Sequence, residues 1–239
     1  MTHTPIIVAG EKRAAARAAI GEVAAGMLVG LGSGSTVAFA IEALGERVAR
    51  GLPIKAAATS LRTEAAAVRA GIGIVPFETL AAVDLAIDGV DEIDPDLRAI
   101  KGAGGALLRE KIVATAAARM IAIADSSKPV ARLGAARLPV EILPFAHAFV
   151  AHALAALGAN VALRRSGGEA VRTDQGNLIL DCAFGTIVDP AALAATLSAI
   201  PGALGHGLFI EEIDALYLGG EAGVTRHERP GPARQRSAQ

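Results

Sequence analysis

Short apolar runs alternate with alanine-rich, charge-edged stretches along most of this chain. Residues 11–25 (EKRAAARAAIGEVAA) carry their charges on one side, the pattern of a helix, and MLVGL at 27–31 reads as a short buried strand. A Gly/Ser turn follows. The pattern then predicts a helix over 35–50, strand IKAAAT at 54–59, helix LRTEAAAVRA at 61–70, and strands GIGIV at 71–75 and VDLAID at 83–88. After a loop come a helix over 105–119 and strand MIAIAD at 120–125. Such alternation implies parallel strands joined by right-handed crossovers, a doubly wound, mostly parallel α/β sheet.

The character changes near residue 138. Strand LPVEI, helix FAHAFVAHALAALG, strand NVALRR, a hairpin EAVRT-DQGN-LILDCAF, helix PAALAATLSAI and strand GALGHGLF mix hairpin and helix, as a smaller α+β domain does. IDALYLGG at 213–220 reads as one more strand, returned to the first sheet, so the smaller domain is an insertion towards the C-terminal half. The expected organisation is a catalytic α/β domain over 1–132 plus 208–225, an α+β domain over 133–207, and a polar, basic, proline-bearing tail over 226–239 expected to be disordered.

Composition narrows the function classes. Apolar residues make up 52% of the chain and charged ones 20%, which suits a globular protein with a sizeable core. A formal net charge of −1 and 3% aromatics, with no Trp, remove both the basic field and the stacking platforms that nucleic-acid binders use, so neither nucleic acid nor an anionic membrane is an expected partner. The single cysteine, Cys182, excludes an internal disulfide and a thiolate metal cluster; with no secretory pattern at the N-terminus, a cytoplasmic location is expected. Two uncharged windows, 23–41 and 142–163, approach membrane-spanning length. The first holds GLGSGST and the second Pro144, His147, His152, Gly158 and Asn160, so both read as buried globular segments.

Three motifs carry candidate chemistry. Gly30, Gly32, Gly34, Ser35 and Thr36 form a glycine-rich turn between a strand and a helix, a geometry that offers unpaired N–H groups and the helix dipole to an anion. A plain strand-to-helix turn capped by Ser35 is the competing reading. A dinucleotide fingerprint needs a third glycine where Ser35 stands and an acidic residue after the next strand, where Thr59 and Ser60 stand, so a single phosphate is the better ligand. The second motif, IDGVDEID, sets Asp88, Asp91, Glu92 and Asp94 at the carboxyl end of an apolar strand, where open α/β sheets bind ligands. Clustered carboxylates suit acid–base work, and their spacing lacks the glycine and distal Glu of a calcium loop. The third, KGAGGALLREK, puts Lys101 before a glycine turn that opens a helix bearing Glu110. Such a lysine can stabilise an enediolate oxygen, and a buried glutamate can serve as base; an ordinary surface glutamate is the competing reading for Glu110 alone.

Among the remaining candidates, His3, His147, His152, His206 and His227 show no metal-binding spacing, and Cys182 lies in the apolar run LILDCAF without a histidine nearby in sequence.

Together GSGST, the following Thr-Ser, IDGVDEID, KGAGGALLREKIV and IADSSK, in this order, resemble the ribose-5-phosphate isomerase A family. LPVEILP and TDQGNLILD extend the resemblance over nearly the whole chain. It implies an aldose–ketose isomerase interconverting ribose 5-phosphate and ribulose 5-phosphate through an enediolate, in the non-oxidative pentose phosphate pathway, without metal or cofactor and as a homodimer. Carried over residue by residue, it implies that Ser33, Gly34, Ser35 and Thr36 hold the substrate with Gly89, Val90 and Lys128, and that Lys12 reaches the pocket. Asp88 and Asp91 bind sugar hydroxyls and assist ring opening. Lys101 and the backbone of Gly102, Ala103 and Gly104 stabilise the enediolate, and Glu110 moves the proton between C1 and C2. Ser33, Ala103 and Leu108 depart from the residues common in the family. A non-catalytic sugar-phosphate sensor is the second hypothesis, disfavoured by the missing DNA-reading segment; a deaminase or acyl-CoA transferase would need its own nucleophile or histidine relay.

Overall fold

Small side chains dictate how the first layers meet. The computed structural model describes residues 5–229. In it helix α1 (Pro5–Ile20) buries Ala15, Ala16 and Ala19 completely, and these methyls let a helix approach a sheet closely. Strand β1 (Leu28–Leu31) leads into α2 (Ser35–Ala49), β2 (Lys55–Ala58), α3 (Leu61–Arg69), β3 (Gly73–Ile74) and β4 (Val83–Gly89). Two short strands, β5 (Glu92–Ile93) and β6 (Ala99–Ile100), precede α4 (Leu107–Ala116) and β7 (Ala117–Asp125). Next come β8 (Leu138–Ile142), α5 (His147–Ala156), β9 (Asn160–Leu163), β10 (Arg165–Ser166), β11 (Glu169–Ala170) and β12 (Leu178–Ala183). The chain continues through α6 (Pro190–Ser198), β13 (Ala203–His206), β14 (Leu208–Phe209), β15 (Ala215–Gly220) and β16 (Gly223–Glu228).

Two compact units result. One holds the chain up to Val90, Ile112–Lys128 and the chain from Glu211 onward; the other holds Asp91–Lys111 and Pro129–Ile210. The first is built on a seven-stranded sheet in the order β16-β15-β7-β4-β1-β2-β3, parallel except for the β15–β16 pair. As expected, residues 215–220 return to this sheet, parallel to β7. Its core joins α1 residues to Val29, Leu31, Leu44, Ile87, Ile121 and Ile123. A Cβ on Gly219 would lie 2.1 Å from the Glu11 carbonyl oxygen, so glycine there is the condition for α1 to pack on β15.

The second unit has an antiparallel sheet ordered β13-β8-β12-β9, a three-stranded sheet β14-β6-β5 and the β10–β11 hairpin. Val140, Ile142, Val150, Leu154, Leu180 and Leu197 form its core.

Several boundaries differ from the pattern-based reading. Residues 91–111 group with the second unit, because β6 pairs with β14 and the Lys101 N–H donates to Gly207 O. The helix expected over 105–119 stops at Ala116, since Val83 and Leu85 recruit Ala117 and Arg119 into the ladder. GALGHGLF divides at Gly207, whose missing Cβ leaves room for Lys101 O and Pro139. The expected disordered tail is corrected in part: Arg226–Glu228 complete β16 against β15, and Arg229 donates to the Asp214 and Ile213 carbonyls. Residues 230–239 lie outside the described ones. Among the described residues no helix is long and apolar enough to cross a membrane; the two uncharged windows are divided among β1 and α2, and β8, α5 and β9.

Candidate active site

The glycine turn after β1 proves to be three devices. Gly30 makes room for Val113 of α4, whose Cγ1 would lie 2.5 Å from an added Cβ. At Gly32 an added Cβ would lie 1.9 Å from the carboxyl carbon of Asp88, so this glycine admits that side chain. Gly34, at φ 107°, is the residue preceding α2 and supplies no capping side chain. Ser35 is thus the first helical residue, which excludes the reading of it as a cap. Its Oγ accepts from Lys12 Nζ at 3.1 Å. An ammonium at the positive end of a helix is unfavourable by itself, and its counter-charge, Asp125 Oδ2, is 3.8 Å away. An anion bound at Ser35 and Thr36 would meet helix dipole and cation together.

Ser33 also braces the turn. Its hydroxyl lies among those of Thr59 (3.0 Å), Ser60 (2.8 Å) and Thr63 (3.1 Å), and Thr63 also donates to Gly32 O. The turn is therefore cross-braced to the start of α3. Lys128, half-buried, follows a loop organised by two carboxylates: Glu11 accepts from the Ser126 N–H and hydroxyl, and Asp125 from those of Ser127.

The acidic run is not a repelling cluster, because each carboxylate has its own donors. Asp88, buried on β4, accepts from the N–H groups of Ser33 (3.1 Å) and Gly89 (2.7 Å). Asp91 Oδ2 accepts from the Ala103 N–H at 2.9 Å. Glu92 holds the Gly134 and Ala136 N–H groups, and Asp94 holds Arg98 at 2.7 Å. Glu92 and Asp94 thus organise the fold, while Asp88 and Asp91 each brace a glycine-rich turn. Among the described residues no group of three or more His, Cys, Asp or Glu is arranged to hold a metal ion.

In the second unit Lys101 and Glu110 are 2% and 4% exposed, with Nζ 3.4 Å from Oε2. This pair decides against the surface reading of Glu110. Helix α4 places the carboxylate in its first turn, where the dipole favours negative charge. Phe209, fully buried, turns its ring to Lys101 at 5.3 Å and to Lys111 at 4.2 Å, and Lys111 donates to Leu208 O. Gly102 (φ 98°) and Gly105 (φ 87°) shape the turn between the pair. A buried ammonium beside a buried carboxylate suits chemistry in which a proton moves and negative charge develops on oxygen.

The family described as Ribose 5-phosphate isomerase A (phosphoriboisomerase A) matches residues 55–223. The chain belongs to the ribose 5-phosphate isomerase A family. A Sphingopyxis alaskensis protein named ribose-5-phosphate isomerase A is 55% identical over 218 residues, covering 91% of this chain and 96% of that protein. A D-ribose-5-phosphate isomerase solved in complex with phospho-erythronic acid superposes with TM-score 0.90 at 36% identity, covering 93% and 99%. The Plasmodium falciparum ribose 5-phosphate isomerase gives 0.89 at 32%, covering 93% and 100%.

Two departures from the usual residues of the ribose 5-phosphate isomerase A family have structural explanations. Ala103 is not among the positive-φ residues, so its methyl is compatible with the turn. Leu108 packs at Gly205 of β13, where an added Cβ would lie 3.0 Å from its Cδ1. Sequence reasoning passed over Glu11, Asp125, Phe209 and above all Arg164, which donates to the carbonyls of Gly102 and Ala103. Asp125 lies within the motif IADSSK and Phe209 ends the expected strand GALGHGLF; Arg164 gives no sign within NVALRR.

Proposed function

We propose that this chain interconverts D-ribose 5-phosphate and D-ribulose 5-phosphate. The observation that carries the reading is the buried Lys101–Glu110 pair beside a glycine turn, in a member of the isomerase family. Ser35, Thr36 and the α2 N-terminus, with Lys12 and Lys128, take the phosphate; Gly89 and Val90 line the sugar. Asp88 and Asp91 bind hydroxyls and assist ring opening. Glu110 takes the C2 proton of the open-chain aldose, and the C–H electron pair moves into a C1–C2 double bond as the C1 carbonyl oxygen becomes anionic. Lys101 and the N–H groups of Gly102 and Gly104 stabilise that charge, the Ala103 N–H being held by Asp91. Transfer of a proton from O2 to O1, and return of the Glu110 proton to C1, leave the ketose with no net oxidation.

Phospho-erythronic acid, bound by a relative, supports this reading: its carboxylate shares one negative charge over two oxygens on a planar carbon, as an enediolate does. The test incubates pure protein with ribose 5-phosphate and C2-deuterated ribose 5-phosphate. Ribulose 5-phosphate should accumulate with deuterium washing into solvent; its absence would refute the function, and quantitative retention of the label on C1 would refute the shared base.

We also infer a cytoplasmic homodimer. The single cysteine and the charged substrate support the compartment, and the exposed Phe145 (96%) and Phe149 (58%), four residues apart in the second unit, support a covered face. Light scattering giving the mass of one chain would refute the dimer.

A further inference from the structure

Arg164 is a polar residue immediately after β9 that does two jobs at once. Its Nε and Nη2 clamp Asp181 of β12 at 2.9 and 2.5 Å, and its Nη1 donates to Gly102 O (3.1 Å) and Ala103 O (3.0 Å). Only a planar fork of donors can grip a carboxylate and still present a further N–H to two carbonyls.

The consequence follows from peptide geometry. In a trans peptide the C=O and N–H point in opposite directions. The Gly102–Ala103 peptide obeys this visibly: its oxygen is on Arg164, and its N–H is on Asp91 at 2.9 Å. The dipole is stretched between a cation and an anion, both in the sense that stabilises it. The next peptide has its Ala103 oxygen on the same guanidinium, so the Gly104 N–H is turned away from Arg164. Gly102 O also accepts from the Gly105 N–H at 3.0 Å, which closes the turn. Without Arg164, two adjacent carbonyls lose their common donor, and a glycine-rich segment has little else to resist rotation of its peptide planes.

We infer that Arg164, anchored by Asp181, is a positioning residue that holds the two peptide planes of the Gly102–Gly104 turn and so fixes the direction of the Gly104 N–H. This rests on the isomerase reading, in which the Gly104 N–H faces the charge that develops in the transition state. Arg164 does not touch substrate; it acts through the backbone it holds. Donors that are already oriented need no reorganisation when charge develops, so their misorientation is felt in kcat more than in KM.

The experiment compares wild type with Arg164→Gln, Arg164→Lys and Asp181→Asn for kcat, KM for ribose 5-phosphate, Ki for phospho-erythronic acid and Tm. Loss of a whole donor of this kind costs about 10²–10³ in rate, so its misorientation in Arg164→Gln should lower kcat about 10- to 10²-fold, with KM changed less than about 3-fold. The analogue Ki should rise by the same factor that kcat/KM falls. Lysine should restore part of the loss, and Asp181→Asn should give a smaller loss of the same kind. Should Arg164→Gln not fold, Asp181→Asn, which keeps the guanidinium, carries the comparison. An unchanged kcat and Ki, a change confined to KM, or a rate loss without the parallel rise in Ki would overturn the role. Wild type inactive on ribose 5-phosphate would overturn the isomerase reading and this inference with it, whereas an active wild type with unaffected variants overturns the inference alone.

Discussion

Glu110 is the residue whose burial decides most. A carboxylate at 4% exposure with one ammonium 3.4 Å away has been taken from water at a cost that a surface glutamate never meets. Glu110→Gln keeps the shape and removes the base, so kcat should fall by about 10² to 10⁴ with KM little changed, the usual worth of general acid–base catalysis. Steady-state kinetics on protein of wild-type Tm check this; near-normal kcat would move the base to Asp88 or Asp91. Cys182 gives a second prediction at this scale. Burial, with a contribution from Asp181, pushes its thiol up to about 12, so it remains a neutral thiol at physiological pH. Native protein should resist iodoacetamide at pH 8 and become labelled on unfolding, as mass spectrometry would read; rapid native labelling would show the strand to be open. Legibility in sequence follows the same logic. Asp88, Asp91, Lys101 and Glu110 were legible because ionisable groups beside glycine turns and strand ends are few. Arg164 was not, because its partners are about 60 residues earlier and 17 later, and nothing local separates it from a solvated arginine.

Among elements, α2 shows how a motif can be found for partly different reasons from those that shape it. GLGSGST reads in sequence as a cradle of glycines, yet Gly30 and Gly32 serve Val113 and Asp88, and what is left for the proposed phosphate contacts is Gly34, Ser35 and Thr36, with Lys12 on Ser35. Periodicity identified most of the alternating strands and helices because they have one buried face or are buried along most of their length, as β4 and β7 are. β16 escaped for the converse reason. All six of its residues are exposed, so no apolar alternation marks it, and its pairing with β15 is visible only in the fold. For α2, replacing Ser35 and Thr36 together by Ala should raise KM for ribose 5-phosphate at least 10-fold and leave kcat within about 3-fold. Phosphate contacts are made in ground and transition states alike, each hydrogen bond to a charged group being worth about 1.5–3 kcal/mol. An unmoved KM would take the phosphate elsewhere.

For the whole molecule, the C-terminal strand ties distant segments of the first unit by charge. Arg119 of β7 bonds Glu22, which follows α1, at 2.9 Å and Glu228 of β16 at 2.8 Å; Arg226 reaches Glu22 at 3.3 Å and also pairs with Glu228. Tyr217 donates to Glu22 at 2.6 Å, its hydroxyl pKa raised by burial and by that bond. A chain ending at Thr225 loses Arg226, Glu228, Arg229 and half the β15–β16 ladder. Exposed pairs contribute about 0.2–1 kcal/mol each, so the loss should be about 1–2 kcal/mol, or about 2–8 °C in Tm for a chain of this size, relative to one ending at Arg229. The difference should depend on pH. The hydrogen bond from Arg119, reinforced by Arg226, holds the Glu228 carboxyl below the usual carboxylate range. A group whose folded pKa lies below its unfolded one contributes stability that is present above the unfolded pKa and is lost as pH falls through the folded one. The Tm gap between the two chains should therefore be widest near neutrality and narrow in acid, once Glu228 is protonated in the folded protein. Thermal melts of both chains from pH 7 down to about pH 3 test this. A gap that stays constant would assign the stabilisation to the β ladder and Arg229 alone, and a gap that widens in acid would contradict the charge network.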